Sequence, residues 1–135
     1  MSQHNVELTR QTWELWSKGA DGEVARQLAP DVEWHHNIGL GTPTEGIYHG
    51  REEVLALSRA IRDSFAVARA EIQDLRAVSA TEVLALGTLH LVGTGSGAAV
   101  TTPFGAVTEI LDGLLVRQRF WTDQGKALEA AGLRE

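Results

Sequence analysis

Hydrophobic and polar positions change their period along the 135-residue chain, so that helical stretches come first and alternating ones follow. From Asn5 to Lys18, Leu8, Thr12, Leu15 and Trp16 share one side of a helix, with Val6 and Trp13 on an adjoining one. Asn5 is the expected N-cap and Gly19 the stop. Trp13 and Trp16 then serve either as core packing or as the wall of a pocket. A second helix is expected from Asp21, its N-cap, to Ala29, with Val24 and Leu28 buried and Pro30 ending it. The segment DVEWHHN, Asp31 to Asn37, reads as a strand with Val32, Trp34 and His36 on one face and Glu33 and His35 on the other. Ile38 to Gly46 is a glycine-rich loop of the kind that forms a pocket rim, and Ile47 to His49 a brief strand. The longest helix spans Arg51 to Phe65, apolar at Val54, Leu57, Ser58, Ile61 and Phe65.

Alternation takes over from there. Val67 to Val78 is a strand of mixed polarity, and Glu82 to Gly93 a strand apolar on both faces. Leu84, Leu86, Thr88, His90 and Val92 share one of those faces. Gly93 to Gly97 is a turn, and Thr101 to Asp123 forms a hairpin around Asp112-Gly113, which suits a type I′ turn. Unbroken pairing from that turn sets Ile110 opposite Leu115, Gly105 opposite Phe120 and Phe104 opposite Trp121. Burying Arg117 and Arg119 without partners costs several kcal/mol per ion, so their face is expected to look outward. Phe104, Ala106, Thr108, Ile110, Leu115 and Trp121 go with them in this register. Gly105, Val107, Glu109, Val116, Gln118, Phe120 and Thr122 are then interior. The outward apolar set suits a subunit interface, so a homodimer through the outer sheet face is expected. A short helix, Asp123 to Ala131, closes the chain. Helices followed by antiparallel strands define an α+β class, here a single domain of residues 1–135 with a strongly curved sheet wrapped over three helices.

Composition narrows the function. The hydrophobic fraction is 43% and the charged fraction 22%, as in an ordinary globular chain. The net charge is −6 and no Lys/Arg run occurs, which argues against nucleic acid or an anionic membrane as partner. No cysteine is present, so disulfides and thiolate metal sites are excluded, in keeping with a cytoplasmic protein. No signal-peptide core or membrane-length apolar run is visible.

The strings LAPDVEWHH, GIYHGREEV, PFGAVTEILDG and ALEAAGL resemble the SnoaL-like branch of the nuclear-transport-factor-2-like superfamily, from Val6 to Leu133. The resemblance implies a cone-shaped α+β barrel open at one end, and a function among isomerases, cyclases, hydrolases and non-catalytic binders. It also implies where catalytic residues belong. The positions of the ketosteroid isomerase aspartate, tyrosine and second aspartate fall on His36, Thr12 and Gly105. Those of the limonene epoxide hydrolase Asp-Arg-Asp set fall on His90, Thr88 and Phe120. Neither set is retained.

Two histidines, His36 and His90, remain on faces assigned to the interior. A neutral imidazole can accept a proton from an acidic C–H, a hydroxyl or a water, and equally can be a hydrogen-bonded core residue. Trp34, Tyr48, Trp16, Phe104 and Phe120 would line an apolar cavity for a small hydrophobic molecule, with Thr88 and Gln118 as further polar contacts. Phe104 could instead belong to the interface. His35 and His36 point to opposite faces, no HxH or HExxH spacing exists, and the glycines lack a phosphate-loop context, so neither a metal nor a cofactor is expected.

Overall fold

Thr9, Thr12, Trp13 and Trp16 recur at three- and four-residue spacing, and all four are buried along helix α1 (Ser2–Ser17). The computed structural model describes residues 2–38 and 45–133. Because α1 starts ahead of Asn5, that residue does not cap it; its Nδ2 donates to Ala80 O at 3.1 Å instead. Gly19, at φ +75°, turns the chain into α2 (Asp21–Gln27). Ala20, not Asp21, holds the cap position there, which leaves the Asp21 carboxylate to reach α3. Strand β1 (Leu28–Asn37) begins earlier than the proline suggests, since Leu28 already pairs with Leu115. It is followed by β2 (Gly46–His49), α3 (Gly50–Ser64), β3 (Phe65–Ala77), β4 (Glu82–Gly93), β5 (Ala99–Leu111), β6 (Leu114–Trp121) and α4 (Gln124–Ala130). Most of the segment expected to form a pocket rim, residues 39–44, lies outside the described residues.

The six strands form one sheet in the order β2-β1-β6-β5-β4-β3, antiparallel throughout except for the parallel β1–β6 pair. This is the expected α+β architecture. Helices α1 and α3 cover the inner face, and bulges in β3 bend the sheet over them.

The hairpin turn is as the sequence predicts, with Asp112 at φ 52° and Gly113 at φ 77°, and Ile110 pairs with Leu115. The next pair is Glu109 with Arg117, so Val116 is a bulge and every later pair moves by one. That extra residue resolves a conflict. It lets Leu115 and Ile110 face the core while Arg117 and Arg119 face out, which unbroken alternation forbids. The interior face of β5 is therefore the one expected outside. Phe104, Ala106, Thr108 and Ile110 are all buried there with Phe120 and Gln118. Glu109 lies outside and accepts from Arg117 Nη2 at 2.8 Å, while Arg119 Nη2 donates to Glu82 Oε2 at 3.2 Å.

The glycine–aromatic pairing also differs. Gly105 faces outward, and a Cβ built on it would stand 2.5 Å from Ala127 Cβ, so the missing side chain lets α4 lie close on the sheet. Gly87 is the glycine beside an aromatic: it pairs with Phe104, whose Cε1 would be 2.9 Å from a Cβ there. Helix α4 starts at an N-cap, Asp123, whose carboxylate accepts from Gly125 N at 2.9 Å. Its Gln124 donates to Gly87 O and Phe104 O at 3.1 and 3.2 Å. Leu84, Val107, Ala127 and Leu128 make a second small core under it, with Trp121 at the edge. Phe104, Ile110 and Leu115 lie inside and Trp121 packs at the edge of the α4 core, so these residues do not form the exposed face expected to carry a homodimer.

Candidate functional site

Val32, Trp34 and His36 alternate along the inner face of β1, and the parallel partner β6 brings Phe120 beside His36. The two rings stack at 5.1 Å with an interplanar angle of 15°. Phe120 in turn stacks on Phe104 at 5.5 Å, and Trp13 leans on both from α1 at 6.2 and 5.1 Å. Trp13 meets Trp16 and Trp34 edge-on at 6.0 and 6.4 Å. These rings fix one wall of a cavity of about 190 Å³. Its other walls come from Val54, Leu57, Ser58 and Ile61 of α3, Val24 of α2, Leu89 and Leu91 of β4, and Phe65, Thr102, Thr122 and Ile38. The lining is almost wholly apolar. Its polar groups among the described residues include His36, Ser58, Thr102 and Thr122, with the indole N–H of Trp34.

His36 is 6% exposed, and burial holds its pKa at about 4, well below the ordinary 6.5, against a weaker opposing pull from the Glu45 carboxylate. The ring is therefore neutral at pH 7. Its Nδ1 and the Trp34 Nε1 are both buried with no hydrogen-bond partner among the described residues. A buried polar atom left unpaired costs about 1–3 kcal/mol. Two of them, two residues apart on one strand face and bordering one cavity, mark where a ligand's polar atoms would be received.

Of the other site residues expected from the sequence, Trp16 and Phe120 are on the wall. Phe104 and Gln118 face inward yet lie beneath it: Phe104 is fully buried behind Phe120, and Gln118 shares a short hydrogen bond with Thr108 Oγ1. Tyr48, half-buried in β2, pairs with Trp34 across the strand and packs on the core without lining the cavity. His90 and Thr88 are corrected. They lie on the outer face, because the odd-numbered residues of β4, Val83, Ala85, Leu89 and Leu91, take the inside. His90 Nε2 meets Glu71 Oε1 at 2.8 Å, and Thr88 Oγ1 donates to Gln73 Oε1 at 3.4 Å.

Thr12 and Gly105, which the resemblance matched to isomerase catalytic positions, are likewise off the wall. Thr12 bonds to Leu8 O and Gln27 Oε1, and Gly105 faces α4. The set of contacts expected from the sequence does not include Ser58, Thr102 or Thr122, although alternation puts Thr122 on the interior face. A serine within the apolar stripe of α3 was the one available signal for the first. Among the described residues no group of three or more His, Asp or Glu side chains is placed to hold a metal ion. No helix among them is long and apolar enough to cross a membrane.

Known structures share this architecture. A nuclear-transport-factor-2-like protein of unknown function from Burkholderia pseudomallei is 25% identical, with 93% of this chain and 95% of that one covered at a TM-score of 0.80. TerC, co-crystallised with polyporic acid, is 18% identical over 96% of this chain and 98% of its own, TM-score 0.79. A Catenulispora acidiphila protein with a ketosteroid isomerase-like fold, in complex with trimethylamine, is 11% identical over 94% and 93%, TM-score 0.75. Among curated proteins none matches the chain. The SnoaL-like domain model matches residues 9–118, which is most of the chain and carries β1, α3 and all but the end of β6. The protein thus belongs to the SnoaL-like family, whose fold is that of ketosteroid isomerase-like and polyketide cyclase-like proteins.

Proposed function

We propose that this protein is a small-molecule enzyme of isomerase, cyclase or hydrolase type, working in the cytoplasm on a mostly hydrophobic ligand, with His36 as proton acceptor. The observation that carries the reading is a neutral, unpartnered imidazole at the wall of an apolar cavity. An enolisable ketone bound there would find a base for its α-proton in His36 and a donor for its oxygen in Trp34 Nε1–H. The small organic molecules held by TerC and by the Catenulispora protein support a small-ligand role.

Deuterium incorporation into 2-tetralone in D₂O, followed by NMR, tests the chemistry. The wild type should accelerate exchange, and His36→Gln should lose on the order of 10²-fold or more of that acceleration. Because a base works only when deprotonated, the rate should rise through pH about 4 and be flat above it. No acceleration by the wild type, or none lost in His36→Gln, overturns this chemistry. One observation favours a second reading, a non-catalytic ligand-binding domain: a base with a pKa of about 4 is a weak proton acceptor at neutral pH. Ligand binding without turnover is its signature.

A further inference from the structure

On the α3 side of the cavity, one hydroxyl is held in a fixed direction. Ser58, 7% exposed and on the cavity wall, has its Oγ 3.2 Å from Asp21 Oδ1. An ionised carboxylate only accepts, so the serine hydrogen points to Asp21 and the hydroxyl offers only lone pairs to a bound molecule. Asp21 also has a cationic neighbour. Arg62, one turn on from Ser58, brings Nε within 3.9 Å of Oδ1 while its guanidinium lies over the Trp16 ring at 5.1 Å. The other two wall hydroxyls point the same way at longer range: Thr102 donates to Pro103 O at 3.3 Å and Thr122 to Ile38 O at 3.5 Å. Among the described residues, the three hydroxyls on the wall thus spend their hydrogens on the protein.

We infer that Ser58, polarised by Asp21, is a specificity-determining residue that selects ligands bearing a hydrogen-bond donor, a hydroxyl on a compact apolar ring body. A donor-free hydrocarbon of the same shape would cover the Ser58 lone pairs without satisfying them, which penalises it. A ligand hydroxyl would complete the chain from ligand to Ser58 to Asp21. The inference deepens the small-ligand reading and rests on it, but not on proton transfer by His36.

The matched probes are 2-naphthol and 2-methylnaphthalene, close in shape and differing in the donor. Equilibrium dialysis gives the ratio of their dissociation constants, and comparing that ratio between proteins cancels the difference in their transfer from water. Ser58→Ala should lower the preference for 2-naphthol by about five- to tenfold, the worth of one buried hydrogen bond. Asp21→Asn leaves Ser58 in place but can turn its hydroxyl around by donating to it, and should lower the preference similarly. Thermal melting confirms that each variant is folded, and two independent variants guard against the failure of either. If both probes bind the wild type and the ratio is unmoved in a folded variant, the Ser58 inference is overturned and the cavity reading stands. If neither probe binds the wild type, the cavity reading falls and this inference falls with it.

Discussion

His36 and His90 look alike in the sequence, since each sits in a strand on a face that alternation can assign to the interior. In the fold they stand on opposite sides of one sheet. His36 is enclosed by Phe120 and the cavity, with its Nδ1 unpaired and its proton affinity lowered. His90 is on the outer face, its side chain 27% exposed and paired with Glu71. The residue type is the same; what differs is which side of the strand faces helices α1 and α3. A titratable group becomes chemically poised when burial leaves it without a partner.

The largest expected effect that separates the two is in the pH dependence of stability. The unfolded chain protonates His36 near its ordinary 6.5 and the folded chain only near about 4. Stability from this residue is therefore complete above pH 6.5, declines as pH falls toward 4, and levels off below. A shift of that size corresponds to roughly 3 kcal/mol across the window. Urea unfolding between pH 7 and pH 4 should show a decline in the wild type that exceeds the decline in His36→Gln by about this amount. Parallel curves for the two proteins would mean that His36 is solvated.

The two faces can also be compared by overfilling. Gly105→Ala places a methyl 2.5 Å from Ala127 Cβ, so α4 must move outward. The cost should be about 1–3 kcal/mol by urea unfolding, the range for overpacking. Because α4 is on the far side of the sheet from the cavity, 2-naphthol binding should be retained. Loss of ligand affinity in a folded Gly105→Ala protein would show that the faces are coupled through β5.

How far the sequence reveals these faces follows from what covers them. Helix α3, strand β4 and the Asp112-Gly113 turn are legible because each has one dominant pattern: an apolar stripe, an apolar run, or two residues tolerant of positive φ. On β1, Val32, Trp34 and His36 are separable from Glu33 and His35 because only one face is apolar, and Trp34 and His36 were placed correctly for that reason. On β4 and β5 both faces are apolar, since α4 buries Leu84 and Val107 from outside while the main core buries Val83 and Phe104 from inside. Alternation alone cannot choose between two covered faces. The choice fell to the arginines of β6, which were placed correctly, but the Val116 bulge breaks the link from their direction to β5. Its trace is the unbroken Leu114-Leu115-Val116 run just before alternation resumes, a phase slip readable only once Leu115 is known to be inside. His90 is assigned to the wrong face of β4 because alternation leaves either apolar face open and the resemblance matches His90 to an interior catalytic position.

The smallest expected effect is the sharpest check of that assignment. His90→Ala removes an exposed-face pair with Glu71, whose own side chain is 52% exposed. Exposed pairs of this kind contribute about 0–1 kcal/mol, because water competes for both partners and holding two side chains together has an entropic cost. Unfolding midpoints should therefore move little. Ligand affinity and any deuterium exchange should match the wild type, since His90 lies across the sheet from the cavity wall. The contrast with His36→Gln is then qualitative: one imidazole can be removed without consequence for the cavity, and the other cannot. A His90→Ala protein that loses binding or exchange as His36→Gln does would place both rings in one site, and the outer-face assignment of β4 would have to be abandoned.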